Sequence, residues 1–190
     1  MSTKNERSSY RKKTYKIALI AMFTALTAIG AFIRIPVPVI PFTLQIFFTT
    51  MAGLLLGGEL GALAVGMYVI LGLLGVPIFT GGGGFTYIFQ PSFGYIIGFI
   101  VGAFVTGKLS QKEKPGFWRL LIANFAGLLF IYLFGLVHCY LIYSFYLKNP
   151  MAIGTLLLHG FVMCLPADTI KMVLAALVGQ QLIPILRKKD

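Results

Sequence analysis

Acidic residues are nearly missing from this chain. Only five of its 190 residues are Asp or Glu, against sixteen Lys and Arg, and charged residues make up 11% of the sequence. A soluble domain carries about 25% charged and about 45–50% apolar residues. This chain is 58% hydrophobic, with a mean hydropathy of +0.89, which excludes a domain that folds in water. Cysteine is equally scarce. Cys139 and Cys164 stand alone in apolar runs, which argues against a disulfide framework or a cysteine metal site. His138 and His159 have no Cys or carboxylate neighbours in sequence, so no metal and no cofactor is expected. There is no HExxH, no Ser-His-Asp set and no paired carboxylates. No Walker A sequence is present either, so active transport cannot be driven by ATP hydrolysis in this chain itself.

What is present is long stretches without any charge: 17–33, 35–58, 60–107, 120–147, 149–167 and 172–186. A bilayer core of about 30 Å needs about 20 mostly apolar residues per helix. The chain therefore reads as an all-α integral membrane protein with six transmembrane helices, near 16–34, 42–57, 60–76, 91–108, 117–145 and 153–186. Pro77 and the run Gly81-Gly82-Gly83-Gly84 divide the 48-residue charge-free stretch 60–107 into two spans. The second span is short and is not expected to cross the whole core. Residues 1–190 form one membrane domain: a basic tail over 1–15, a six-helix bundle over 16–186 and a glycine-rich outer loop over 77–90. The apolar start continues past a loosely matching Ala28-Ile29-Gly30 cleavage pattern, so the first helix is expected to be retained rather than removed as a signal peptide.

The formal net charge of +11 could indicate nucleic acid, but its distribution does not. Thirteen of the sixteen basic residues lie in three clusters that flank apolar runs: Lys4, Arg7, Arg11, Lys12, Lys13 and Lys16; Lys108, Lys112, Lys114 and Arg119; and Arg187, Lys188 and Lys189. Lys and Arg resist translocation, so such clusters mark the cytoplasmic side. Six spans put all three clusters, and both termini, on that side. Nucleic-acid binding would gather basic residues on one soluble module, and none exists.

Asp168 is the only acidic residue inside these spans, and Lys171 is the only basic one far from a span end. The i,i+3 spacing puts both on one helical face. Insertion scales charge about 2.5–3.5 kcal/mol for each such group at mid-membrane, so a role is expected. One role is a self-neutralising structural pair; the other is a polar contact point for a ligand in a cavity. Pro166 adds to the second, because it leaves a backbone carbonyl free nearby. The loop TGGGGFTYIFQPSFGYIIGF (80–99) joins glycines to flat aromatic side chains. It reads as a ligand lid, with Gly82, Gly83, Gly84, Phe85 and Tyr95 as candidate contacts. Gln45 and Asn124 suit either a ligand or a helix–helix hydrogen bond. Ala21 and Ala25 form a small-residue face on the first helix, fit for internal packing or for docking another membrane protein.

The runs PVPVIPFTLQIFFTTMAGLLLGGELGALAVGMYVILGLLGVPIF (36–79), TGGGGF…QPSFGYIIGF and PADTIK resemble the BioY family, the biotin-specific S components of energy-coupling factor transporters. The resemblance extends from about residue 16 to 185. It implies a non-enzymatic subunit of a prokaryotic plasma membrane that binds biotin tightly from outside. Its implied partners are a membrane coupling protein and two ATPase subunits. Ala21 and Ala25 match the family's AxxxA docking motif. Departures at Phe85 and Gln90-Pro91-Ser92-Phe93 bear on individual aromatic contacts. The candidate ligand set read from the residues is Asp168, Lys171, Gly82, Gly83, Gly84, Phe85, Tyr95 and Gln45. A ureido ring, with two N–H donors and one carbonyl, complements a carboxylate beside an ammonium. The rival reading is a membrane-embedded enzyme acting on a lipid or prenyl substrate. It would need a nucleophile–base or carboxylate–metal set, and the spans hold one carboxylate. A passive channel would need a polar stripe along several helices, and there is none.

Overall fold

The computed structural model describes residues 2–35, 41–111 and 114–187. Pro36, Pro38, Lys112, Lys188 and Lys189 lie outside them. Helix α1 runs over Ser2–Phe32. The basic stretch expected as a separate tail is thus continuous with the first helix, because no glycine or proline precedes Gly30 to stop it. Two short strands, β1 (Arg34–Ile35) and β2 (Phe42–Thr43), then pair antiparallel. Helices α2 (Gln45–Leu56) and α3 (Gly58–Leu73) follow, joined through the single residue Gly57. Gly57 has φ 85° and ψ 174°, a conformation essentially restricted to glycine.

Helix α3 stops before its expected end at 76, where Gly75 takes a φ of 106°. A 3-10 turn over Phe85–Phe89 leads into α4 (Phe93–Leu109). Helix α5 (Phe117–Leu141) continues into a π turn, Ile142–Tyr146. The sixth expected span is not one helix. A short α6 (Ile153–Leu157) and a π turn (Leu158–Val162) come before α7 (Leu165–Arg187). Pro166 explains the break: it cannot continue a helix from upstream, but it is well tolerated in the first turn of a new one.

Among the described residues three stretches are long and apolar enough to cross a membrane: Lys12–Phe32, Phe117–Tyr146 and Ile153–Leu186. Helices α2, α3 and α4 are apolar but have only 12, 16 and 17 residues. At about 1.5 Å per residue, α2 spans about 18 Å, well short of a core of about 30 Å.

Cross-helix contacts fix the directions. The Thr24 hydroxyl on α1 donates to the Ala64 carbonyl on α3 at 2.8 Å, and Asn124 Nδ2 on α5 donates to the Met172 carbonyl on α7 at 2.9 Å. The middle of α1, the α2–α3 turn and the end of α7 come together around Lys16, Leu56 and Leu186. Beside them, Lys108 Nζ at the end of α4 pairs with Glu59 Oε1 at 2.7 Å. The described members of all three basic clusters therefore share one end of the bundle.

Buried Tyr68, Leu54, Leu120, Ile131, Met172 and Ile183 fill the centre, while Ile70, Leu74, Leu129, Ile170 and Ile185 are exposed. An apolar exterior around an apolar centre suits a lipid solvent and not water. Without a hydrophobic drive between helices, backbone proximity carries the packing. A Cβ on Gly53 would lie 2.4 Å from the Ala103 carbonyl oxygen, and one on Gly98 would lie 2.8 Å from Ile131 Cα. Gly53→Leu must push α2 off α4. We expect a destabilisation of about 1–3 kcal/mol or more, read as a lower melting temperature of the detergent-solubilised protein.

Candidate functional site

At the end of the bundle opposite the basic clusters lies a cavity lined by both polar and apolar side chains. Five separate parts of the chain supply its polar wall. Thr43 and Gln45 come from the β2–α2 corner, Thr80 from the glycine loop, Tyr95 and Tyr132 from α4 and α5, and Asp168 from the start of α7.

Asp168 is 3% exposed. Its Oδ1 accepts a hydrogen bond from Lys171 Nζ at 2.7 Å, and its Oδ2 accepts one from the Tyr132 hydroxyl at 2.6 Å. Lys171 Nζ also donates to the Thr43 carbonyl at 2.8 Å. One helical turn thus places the pair, and the pair in turn ties α7 to α5 and to β2. Neither group is saturated: an ammonium has three donors and a carboxylate about four acceptor positions. A carboxylate acceptor therefore remains in the cavity wall, with a spare ammonium donor behind it.

The irregular start of the last span shapes the same wall. The π turn and the break at Met163–Cys164 leave carbonyls without helical partners. The Tyr95 hydroxyl donates to the Gly160 carbonyl at 2.9 Å, and the Cys164 thiol donates to the His159 carbonyl at 3.4 Å. Both side chains line the cavity. Gln45 is fixed as well: its Nε2 donates to the Tyr68 hydroxyl at 2.7 Å, which donates to the Ile78 carbonyl at 3.2 Å. Asn124 serves as a helix–helix contact through Met172.

A BioY family profile matches residues 2–188. The chain belongs to the BioY family. It is 41% identical over 178 residues to the probable biotin transporter BioY of Lysinibacillus sphaericus, covering 93% of this chain and 91% of that one. It is 41% identical over 162 residues to the biotin transporter BioY of Thermotoga maritima, covering 85% and 91%. In three dimensions it resembles a crystal structure of the S-component for biotin from an ECF-type ABC transporter. The TM-score is 0.78 at 30% identity, over 90% of this chain and 92% of that one.

In this BioY-family chain, the cavity brings together Asp168, Tyr95 and Gln45, with Lys171 behind Asp168. Gly82, Gly83, Gly84 and Phe85 do not line it. The glycine run folds back on the end of α3, where Phe79 and Gly82 exchange backbone hydrogen bonds and the Gly84 N–H donates to the Gly72 carbonyl at 2.7 Å. Phe85 is 69% exposed. The loop meets the cavity through Thr80, whose carbonyl accepts from the Arg34 guanidinium and whose hydroxyl is 2.8 Å from the Tyr87 hydroxyl. Ala21 and Ala25 are exposed on the outer side of α1, away from the cavity.

Sequence reasoning missed Tyr132, Thr43 and Thr80. Tyr132 carried a faint signal, since it lies two turns from Asn124 on the buried face that also holds Gly127 and Leu128. Thr43 acts through its backbone carbonyl, which no residue-type argument can find.

Proposed function

We propose that this chain is the biotin-binding subunit of an energy-coupling factor importer in a prokaryotic plasma membrane. The observation that carries the reading is the buried Asp168 carboxylate, paired with Lys171, in the wall of a cavity, in a chain of the BioY family. A ureido ring donates two N–H groups and accepts at one carbonyl. Asp168 is the acceptor for the donors, and the spare Lys171 hydrogen is the donor for the carbonyl. Ile96 and Phe99 offer apolar wall to the thiophane ring and the valeryl chain. The names of the relatives, biotin transporters and an S-component for biotin, support the same ligand. The enzyme reading is not favoured by these likenesses.

Both termini and the three basic clusters face the cytoplasm in this proposal, and the cavity and the 77–90 loop face outward. Biotin is captured outside and released inside when a coupling protein and two ATPase subunits engage the exposed Ala21 and Ala25 face of α1. The whole chain acts as one membrane domain.

Mass spectrometry of ligand released from the detergent-purified protein tests the function: biotin is expected, and lipid alone would overturn it. Orientation is tested by labelling introduced cysteines with a membrane-impermeant reagent. Gly83 is a poor position, because a Cβ there would lie 2.2 Å from the Val76 carbonyl oxygen. Phe85→Cys and Gln111→Cys are exposed, and native Cys139 and Cys164 are buried. Phe85→Cys is expected to label in intact cells and Gln111→Cys only after lysis. Labelling of both from one side would rule out the topology.

A further inference from the structure

Between the end of α4 and the start of α5 lies a second, open groove, at the end of the bundle that carries the basic clusters. Its rim carries Lys114 and Arg119, and its walls are Leu109, Ile122 and the buried Ala123. Among the described residues neither cation has a hydrogen-bond or ion-pair partner, whereas Lys108 at the end of α4 is paired with Glu59. Trp118 beside them is 73% exposed and Ile122 67% exposed. From there an apolar strip runs along α5 through Leu129 and Leu133, both exposed.

We infer that this groove binds the phosphate headgroup of an anionic phospholipid, with an acyl chain lying along the outer face of α5. Two cations without partners among the described residues, over an apolar floor, complement a phosphate that carries a hydrocarbon chain, and a water-soluble anion would leave the floor uncovered. Exposed tryptophan is suited to the headgroup level, where its ring is half in lipid and half wet. Basic pockets between helices at a membrane surface take anionic headgroups for the same reason. A topology signal alone requires charge somewhere in this linker. It does not require two cations to share a groove that opens onto a lipid-facing helix. The site is also remote from α1, which packs on α2 and α3, while α5 packs on α4 and α7. A lipid held here stays in place when a partner covers α1.

The test is native mass spectrometry of the full-length detergent-solubilised chain, incubated with equal amounts of phosphatidylglycerol and phosphatidylcholine. The wild type is expected to retain phosphatidylglycerol in preference. Each cation near an anionic headgroup contributes roughly fivefold, so Lys114→Gln with Arg119→Gln is expected to reduce retention about 25-fold. Ile122→Trp, which keeps both charges but fills the groove, should reduce it as well. Lys12→Gln with Lys13→Gln removes the same charge elsewhere and should leave it intact. The inference is overturned if the groove variants retain phosphatidylglycerol like the wild type, if the Lys12 and Lys13 control loses as much, or if phosphatidylcholine is held equally.

Discussion

Asp168→Asn is expected to lower the affinity of the isolated chain for biotin by ten- to hundredfold. A hydrogen bond to a charged group contributes about 1.5–3 kcal/mol, which corresponds to roughly that ratio. The same substitution also disturbs folding. Asp168 and Lys171 side chains are only 5% and 14% exposed, and Lys171 would lose its counter-charge. Removing one member of a buried pair destabilises by about 3–5 kcal/mol, whereas replacing both by apolar groups of similar volume is often neutral. Lys171→Ala should act in the same direction, because it strands the carboxylate. The double variant Asp168→Leu with Lys171→Met separates the two roles. Its melting temperature is expected to recover towards the wild-type value, while isothermal titration still detects weak or no biotin binding. Recovery of both would make the pair purely structural and would remove the main support for the proposed binding mode. So would a single Asp168→Asn variant that melts early yet binds normally.

The second large effect is expected at Ala21 and Ala25. Both are exposed on α1, one turn apart, beside the larger exposed residues Met22 and Ile29. Small side chains let a partner helix approach closely in a membrane, where packing and not hydrophobicity drives association. Ala21→Trp and Ala25→Trp fill that space without touching the cavity. Uptake of biotin by cells and recovery of the ATPase module in a pull-down are both expected to fall to background. Biotin binding to the purified chain is expected to be essentially unchanged. Loss of binding with the complex intact would show that these alanines act inside the bundle and would refute the docking face.

Composition and local spacing determined much of this protein. A chain with so little charge and six apolar runs can bury its backbone only as membrane helices. The i,i+3 spacing of Asp168 and Lys171 and the i,i+4 spacing of Ala21 and Ala25 place each pair on one helical face, whatever surrounds them. Three other features needed the tertiary structure. Tyr132 reaches Asp168 across 36 positions of chain, and the Thr43 carbonyl holds Lys171 across 128. Such partners depend on which faces of α5, α7 and the β2 corner come to lie together. The glycine run suggested a lid over the ligand, yet its position is decided by hydrogen bonds to the end of α3. The last apolar run gave no sign of its π turn, whose unpaired carbonyls orient Tyr95 and Cys164 in the cavity wall. Periodicity within a helix is a local property of the chain. The partner of a freed carbonyl or a buried carboxylate is set only when distant segments pack.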